Sequence, residues 1–204
     1  MKSKPVILAT CPIQTPLGVF AAHYSAAGLA RLDFPCSAGS SHRVSSQRLD
    51  ATLEGYGVGA PHRVPSRGRD AASPAVRRWH KQAGRAVARI LRGRVAGEFP
   101  PLDLAAGTPF QRKVWAALRQ IPAGQTESYG RLAAALGAPK AARAVGSACG
   151  ANPIPLFIPC HRVVPAGGGL GGFSGGLHWK RRLLALEAGG GGSPRTQRSV
   201  GVME

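Results

Sequence analysis

Acidic residues are scarce in this chain. Nine of its 204 residues are Asp or Glu, against 27 Lys and Arg, which gives a formal net charge of +18. Clustered cations gain affinity for polyanions by releasing counterions from phosphates, so the imbalance favours a nucleic-acid ligand. A high-pI protein whose cations are simply solvated would have the same composition. Charge alone also does not separate DNA from RNA or an anionic membrane.

Long apolar runs and closely spaced cysteines are also missing. No stretch approaches the length of a transmembrane helix, and the apolar residues 6–9 are too few for the core of a signal peptide. The four cysteines stand at positions 11, 36, 149 and 160, which is neither a metal-ligand spacing nor a dense disulfide framework. We therefore expect a cytoplasmic protein with reduced thiols.

The amino-terminal part of the sequence predicts a small sheet followed by a helix. Residues 6–13 and 19–24 flank a Pro-Leu-Gly turn signal, and residues 29–34 alternate apolar and charged side chains. Residues 36–74 are rich in Ser, Gly, Pro and Arg without a sustained period, which indicates a long loop or a partly disordered segment. The helix after them has a basic outer face, which more often meets solvent than a ligand. Its apolar stripe is Val76, Trp79, Ala83, Val87 and Ile90.

Helix signals become clear in the carboxy-terminal half. Thr108 fits an N-cap, with Pro109 at the first helical position and Gln111 completing a capping box. The apolar stripe that follows consists of Phe110, Val114, Trp115, Leu118 and Ile121. One amphipathic helix is predicted here.

Two short helices then form a candidate helix-turn-helix. Ser128 can cap a helix that extends to Leu136 and stops at Gly137, and Pro139 opens another helix over residues 140–149. A Gly-Ala-Pro break between them and small residues in the second helix suit two closely packed helices. The same pattern is a common packing unit of α proteins, so the residues alone leave DNA binding open.

These elements predict an α+β fold in two parts. Residues 1–97 form an amino-terminal supporting α/β domain with a small antiparallel sheet. Residues 98–188 form a helical domain that contains the helix-turn-helix and a last helix over residues 177–188. Residues 189–204 are rich in Gly, Ser and Arg and predict a flexible tail.

Cys160 and His161 place a thiol beside an imidazole, with Asn152 a short way upstream. A free cysteine has a pKa of about 8.5, so little is thiolate at neutral pH, and a neighbouring histidine can take the proton. A lone cysteine beside a histidine is nevertheless more often core packing than a nucleophile. On a regular strand the two side chains point to opposite faces, so they can cooperate only if the backbone turns between them.

A succession of short motifs gives this pair its context. They are Thr-Pro-Phe-Gln from Thr108, Ser-Tyr-Gly-Arg-Leu-Ala from Ser128, Ala-Ala-Arg-Ala-Val-Gly from Ala141, Asn152-Pro153, Ile-Pro-Cys-His-Arg-Val-Val around Cys160, and Phe-Ser-Gly-Gly-Leu from Phe173. In order and spacing they resemble the O6-alkylguanine-DNA alkyltransferases, also called methylated-DNA–protein-cysteine methyltransferases. The resemblance covers about residues 98–188. The amino-terminal part resembles the family only loosely, through Thr15-Pro16-Leu17-Gly18 and Gly28-Leu29.

The resemblance implies a DNA-repair enzyme that transfers an alkyl group, such as methyl, irreversibly from O6 of guanine in duplex DNA to Cys160. O4 of thymine is a second candidate position. Such a methyltransferase is a suicide enzyme, because each molecule accepts one alkyl group. We expect no cofactor, no obligate protein partner, no membrane and a monomer.

The same resemblance carries over a catalytic set. In the family a cysteine, a water, a histidine and a glutamate form a network, here Cys160, His161 and Glu187. Asn152 matches the asparagine that holds the active-site turn. Tyr129 matches the tyrosine that helps rotate the nucleotide and donates a hydrogen bond to a guanine ring nitrogen. Without the resemblance, a surface role for Glu187 and a packing role for Tyr129 would be the simpler readings.

A set for DNA binding and base flipping is carried over as well. The family enters the minor groove with the second helix of the helix-turn-helix. Arg143 on that helix matches the arginine that fills the space left by the extruded nucleotide. Without the resemblance, a phosphate contact or an exposed surface position would be the preferred reading of Arg143. Ser174 lies in the loop that closes over the base. The predicted set is Arg143, Tyr129, Ser174, Arg162, Ala142 and Gly146.

The chain departs from the family pattern at one position of that loop. Where the family often has tyrosine, this sequence has Phe173, which keeps an apolar face but has no hydroxyl donor. Some members hold zinc in the amino-terminal domain, but Cys11, His23 and Cys36 do not reproduce the spacing, so we predict no metal. Two rival functions remain: a lesion sensor without activity, which Cys160 argues against, and a Cys-His hydrolase, for which no oxyanion-hole motif is evident.

Overall fold

The structure, a computed structural model, describes residues 5–35 and 73–189 of the chain. The tail predicted from residue 189 therefore lies outside the described residues except for Gly189. The loop predicted over residues 36–74 lies outside them except for its last two positions. Ser73 is outside the helices and strands, as predicted, but at Pro74 the prediction is wrong, because a helix capped by Ser73 begins there.

An antiparallel sheet forms the amino-terminal part, as predicted. Its strands are β1 (Ala9–Thr15), β2 (Gly18–Ser25) and β3 (Gly28–Asp33), and they are hydrogen-bonded in the order β1-β2-β3. Apolar side chains alternate along β2, where Phe20, Ala22 and Tyr24 are fully buried. This alternation gives the sheet one face for the core.

Helix α1 (Pro74–Ile90) covers the sheet by packing on β1 and β3. The Ser73 hydroxyl accepts a hydrogen bond from the Val76 amide, a standard N-terminal cap. The predicted apolar stripe is confirmed at four of its positions, while Trp79 is half-buried. The buried residues of α1 are Val76, Ala83, Ala86, Val87 and Ile90.

Helix α2 (Pro109–Leu118) begins with the predicted capping box. The Thr108 hydroxyl accepts from the Gln111 amide at 3.0 Å, and the Gln111 side chain accepts from the Thr108 amide at 2.8 Å. The helix ends at Leu118, so Ile121 lies beyond it in a turn. Its buried indole, Trp115, donates to the Ala148 carbonyl at 2.8 Å and ties α2 to the later helices.

The predicted helix-turn-helix corresponds to α3 (Tyr129–Ala135) and α4 (Ala142–Gly150), which pack on each other. Ser128 caps α3 as predicted, and Gly137 follows it with a left-handed φ of 73°. Helix α4 begins two residues later than predicted. The reason is a turn before it, in which the Ala141 amide donates to the Ala138 carbonyl, so that Ala141 becomes the N-cap.

Backbone hydrogen bonds join the amino-terminal sheet to the rest of the molecule. The Leu32 amide donates to the Pro153 carbonyl at 2.9 Å, and the Leu29 amide donates to the Pro101 carbonyl at 2.8 Å. The approach at Pro101 requires glycine at position 28, which has a φ of 143° and where a Cβ would collide with the Pro101 carbonyl. The sheet therefore supports the segment that begins at Asn152.

The remaining elements surround that segment. A 3-10 turn (Cys160–Arg162) leads into β5 (Val163–Val164), which pairs in parallel with β4 (Glu127–Ser128), and helix α5 (Leu177–Glu187) ends the described chain. These elements complete the predicted α+β class. Within the two described ranges, no helix has the length and apolar character needed to cross a membrane.

Candidate active site

The backbone turns between Cys160 and His161. They are the first two residues of the 3-10 turn, in which the Cys160 amide donates to Ile158 at 2.8 Å and the Arg162 amide to Pro159 at 3.0 Å. With three residues per turn, successive side chains lie about 120° apart rather than on opposite faces. In this turn the Cys160 and His161 side chains can therefore cooperate, which they could not do on a regular strand. Both side chains are buried, at 4% and 1% exposure.

Asn152 holds the two ends of the segment that leads to Cys160. Its Nδ2 donates to the Ile158 carbonyl at 2.7 Å and to Cys160 Sγ at 3.1 Å, and its Oδ1 accepts from the Ile154 amide at 3.0 Å. Within the segment, buried Leu156 has a φ of 78°, a left-handed conformation that is strained for a branched side chain. The surrounding contacts keep it there.

Glu187, at the end of α5, lies directly behind the histidine. Its Oε1 is 2.9 Å from His161 Nε2, and both carboxylate oxygens accept from Arg162 at 2.7–3.2 Å. Burial alone would raise the pKa of Glu187, but the hydrogen bonds from His161 and Arg162 outweigh it and lower that pKa to about 2. The carboxylate is therefore ionised.

This ionised carboxylate determines the tautomer of His161. A carboxylate without a proton only accepts, so His161 Nε2 carries the hydrogen and Nδ1 of the neutral ring is an acceptor. Burial lowers the pKa of His161 although Glu187 opposes the shift, so the ring is neutral at physiological pH. Nδ1 is buried and has no hydrogen-bond partner among the residues that the structure describes.

Lys180 is a site residue that the sequence analysis did not single out. It is fully buried, and its Nζ donates to the Val163 carbonyl at 2.7 Å and the Gly172 carbonyl at 3.3 Å. Burial lowers the pKa of Lys180, and the electrostatic effect of Cys160 and Cys149 partly offsets this decrease. The available signal was its spacing of three and four from Leu183 and Leu184, which places it on the buried face of α5.

The Cys160 thiol responds to the same surroundings. Burial raises its pKa, while the hydrogen bond from Asn152 and the positive charge of Lys180 lower it in part. The resting thiol is therefore protonated, and two groups that stabilise its thiolate are already in place.

Cys160 faces a pocket of about 490 Å³. The pocket is lined by Tyr129, Gly146, Cys149, Gly150, Cys160, Gly172, Phe173 and Ser174. Burial raises the pKa of Tyr129, so its hydroxyl stays a donor. Burial and the neighbouring Cys160 raise the pKa of Cys149 to about 12, so this second thiol in the pocket is a poor source of thiolate.

The pocket wall contributed by α4 continues outward to Arg143. Gly146 and Gly150 line the pocket, and Arg143 stands three residues before Gly146 on the same helix face. Arg143 is exposed. A long cation thus lies beside the pocket on the helix that the sequence analysis assigned to DNA.

The other residues predicted for DNA binding have varied surroundings. Ser174 is exposed in the pocket wall, and Ala142 is half-buried at the start of α4. Arg162 is only 15% exposed, and its guanidinium is occupied by Glu187 and by the Ile121 carbonyl at 2.6 Å. This geometry supports a role for Arg162 in holding Glu187 and does not support the predicted contact with DNA.

A metal site is not evident in the part of the chain that the structure covers. No three side chains of His, Cys, Asp or Glu lie close enough together there to hold an ion. Cys36 lies outside the described residues, so the expected lack of zinc stays a prediction.

Comparison with known proteins identifies the family. A family profile for the DNA-binding domain of 6-O-methylguanine DNA methyltransferase matches residues 109–189. A methylated-DNA–protein-cysteine methyltransferase of Mycolicibacterium paratuberculosis is 55% identical over 95 residues, which are 45% of this chain and 58% of that protein. The protein of the same name from Methanosarcina acetivorans is 47% identical over 106 residues, which are 50% of this chain and 68% of that protein.

The structural comparison extends over more of the molecule. The crystal structure of Mycobacterium tuberculosis OGT in complex with DNA is similar with a TM-score of 0.61 and 32% identity, over 89% of this chain and 93% of that one. By sequence, the chain spans 58% of the length of the mycobacterial relative. The chain is 47% identical to the archaeal relative over 68% of that protein, and it matches nearly all of the OGT structure. It therefore belongs to the methylated-DNA–protein-cysteine methyltransferase family.

Proposed function

We propose that this protein repairs DNA by transferring an alkyl group, usually methyl, from O6 of guanine in duplex DNA to Cys160. One observation carries the proposal. Cys160 lines a pocket of about 490 Å³, and the buried histidine beside it has its free acceptor nitrogen fixed by an ionised glutamate. The names of the relatives and the DNA in the OGT complex support the choice of substrate.

The first step is the transfer of the thiol proton to His161. Nδ1 is the ring nitrogen that can accept, and it takes the proton of Cys160 directly or through a water molecule. The imidazolium that forms is stabilised by Glu187 through Nε2. As negative charge develops on Sγ, the Asn152 amide and the Lys180 ammonium lower its energy, and they need no rearrangement to do so.

The second step is attack of the thiolate on the alkyl carbon. The new S–C bond takes its electron pair from Sγ, and the broken C–O6 bond leaves its pair on guanine. Guanine is a good leaving group only if a proton or a hydrogen bond stabilises the negative charge that develops on it. Tyr129 lines the pocket and its hydroxyl stays protonated, so this hydroxyl is the donor that we assign to the purine ring.

The base has to leave the duplex before it can reach Cys160. Extruding a nucleotide costs a few kcal/mol in unstacking and unpairing. Arg143 is exposed on the helix face that continues the pocket wall, so its planar guanidinium can fill the vacated space and bond to the orphaned partner base. Ser174 and Gly146 then contact the extruded nucleotide.

The transfer ends in a thioether. Unlike a thioester, a thioether has no acyl carbon for water to attack, so the thiol is not regenerated and no cofactor takes part. Each molecule acts once. A nucleophile of this kind must stay reduced, and Cys149 and Cys160 are free thiols, which supports a protein acting in the reducing cytoplasm. The proposed transfer uses residues of one chain, so it requires no second copy.

Counting repaired lesions tests the proposal. Purified protein is mixed with an excess of duplex DNA that contains O6-methylguanine, and the methylated nucleoside is measured over time. We expect its loss to rise to one equivalent of active protein and then to stop. DNA binding without any loss would favour the lesion sensor, and loss continuing for many equivalents would refute the single-use mechanism.

A further inference from the structure

Four aromatic rings connect the amino-terminal sheet to the active-site pocket. Phe34, directly after β3, is the central ring. Its centroid lies 5.4 Å from Phe20 on β2, 4.9 Å from Trp179 on α5 and 5.5 Å from Phe173 in the pocket wall. Phe20 and Trp179 are buried and in edge contact at 5.4 Å. They give Phe34 a rigid base on two separate elements.

Phe173 belongs to the pocket loop, residues 172–175, of which the first three line the pocket with Cys160. Its ring stands edge-on to Phe34 on one side and edge-on to His161, at 6.4 Å, on the other. Phe173 therefore lies between the amino-terminal sheet and the proton acceptor. Its lack of a hydroxyl suits this apolar position.

The pocket loop is closed by a turn, in which the Gly176 amide donates to the Phe173 carbonyl at 3.0 Å. It lies between Gly171 and Gly176, which both have left-handed φ values, 63° and 90°. On one side, the Gly172 carbonyl accepts from Lys180 at 3.3 Å. On the other side, Gly175 lies directly under Phe34, since a Cβ at that position would come within 2.5 Å of the ring. Phe34 thus contacts the loop at two places, Phe173 and Gly175.

We infer that Phe34 is a positioning residue, which holds the pocket loop over Cys160 by packing against Phe173 and Gly175. The inference rests on the proposed alkyl transfer. It makes the amino-terminal sheet part of the machinery that orients the substrate. Without the ring, the loop keeps its turn and its Lys180 contact but loses the packing on Phe173 and Gly175, so the extruded base is held less well against Sγ.

The test is single-turnover transfer measured over a range of DNA concentrations for Phe34→Ala, Phe34→Tyr and Gly175→Ala. We expect the rate constant at saturating DNA to fall about tenfold or more in Phe34→Ala, because misplacement by about 1 Å can cost ~10²-fold. The affinity for unmodified duplex, in which no base occupies the pocket, should stay unchanged, because Arg143 and α4 are untouched. Phe34→Tyr keeps the ring and should restore most of the rate.

Gly175→Ala perturbs the same contact from the loop while keeping the Phe34 side chain. It should slow transfer as well, and the two alanine changes combined should cost less than the product of their separate effects. The matched control is Trp79→Ala, which removes another half-buried aromatic side chain, on α1, where the helix packs on the sheet. It should lower stability and leave the saturating rate constant alone.

The possible failures are distinct. No transfer by the wild-type protein would refute the proposed function. An active wild type with unchanged saturating rate constants in Phe34→Ala and Gly175→Ala would overturn the positioning role. Loss in Phe34→Tyr as large as in Phe34→Ala, or an equal loss in Trp79→Ala, would overturn it too, since each would indicate general destabilisation.

Discussion

The Cys160 thiol is protonated at rest, and the groups around it stabilise the thiolate that forms when the proton moves to His161. Replacing it with serine keeps the size of the side chain but offers a much weaker nucleophile. We expect Cys160→Ser to abolish alkyl transfer while binding methylated duplex about as well as the wild type. Cys11→Ser is the control, because it removes a buried thiol from β1, away from the pocket. Appreciable repair by the Cys160 variant would remove that residue from the mechanism.

Glu187 should make the stability of the protein depend on pH in acid. Its folded-state pKa of about 2 lies below the ordinary value of 4.5, so folding favours the charged form. That stabilisation is complete above pH 4.5 and is lost as the pH falls towards 2. The free energy of unfolding, measured in urea across this range, should therefore converge between wild type and Glu187→Gln as the pH drops.

An exposed carboxylate provides the comparison for this experiment. Glu98→Gln removes the same charge from the surface and should give a constant small difference from the wild type at all these pH values. If the gap between wild type and Glu187→Gln stayed constant as well, Glu187 would not be ionised in the way that its hydrogen bonds to His161 and Arg162 require.

Individual residues were predictable to different degrees. Neighbouring sequence positions identified Cys160 and His161 as a pair, and the family motifs pointed to Glu187, which the structure places 2.9 Å from the imidazole. Lys180 was missed because a lysine on an amphipathic helix is usually exposed, and only its spacing from Leu183 revealed otherwise. The contacts of Arg162 could not be predicted, because its partners Glu187 and Ile121 are distant in the sequence.

At the scale of elements, local chemistry predicted helix starts well. The hydroxyls of Ser73, Thr108 and Ser128 each accept from a backbone amide of their own helix, and two of these caps were predicted. The 3-10 turn at Cys160 was not predicted, because it depends on the side chain of Asn152 rather than on a local propensity. The start of α4 was wrong because a short turn occupies its first predicted residues.

Helix α4 carries the prediction that belongs to this scale. If Arg143 fills the space of the extruded nucleotide, Arg143→Ala should slow repair of a lesion in paired duplex much more than dealkylation of the free base O6-benzylguanine, which needs no extrusion. The single-turnover rate constants of the two substrates measure this difference. Arg78→Ala removes the same charge from the exposed face of α1 and should slow neither. Equal losses on both substrates in Arg143→Ala would contradict an intercalating role.

For the whole molecule, the sheet and the helical region were both predictable, but their connection was not. Alternation and caps identify elements, whereas the hydrogen bond from Leu32 to Pro153 joins positions far apart in the sequence. The same holds for the ring contact between Phe34 and Phe173. Such contacts depend on how the helices and strands pack on one another once they have formed, and no local sequence pattern encodes them.

The net charge of +18 should be visible in DNA binding. Each phosphate that a lysine or arginine neutralises releases counterions, so log affinity should fall linearly with log salt, by about 0.9 per contact. Titration of unmodified duplex at several salt concentrations measures the slope, which we expect to correspond to several phosphates. Binding that did not respond to salt would mean that the cations serve another purpose.

The most direct test follows the alkyl group to its final position. Duplex DNA with an isotopically labelled methyl group on O6 of one guanine is mixed with the protein. The protein is then digested with chymotrypsin, whose cleavage after Phe157 separates Cys149 from Cys160, and analysed by peptide mass spectrometry. The mechanism predicts one labelled methyl on the peptide that contains Cys160, and none on the one that contains Cys149, although both thiols line the same pocket. Label on Cys149, or released into solution while Cys160 stays unmodified, would contradict it.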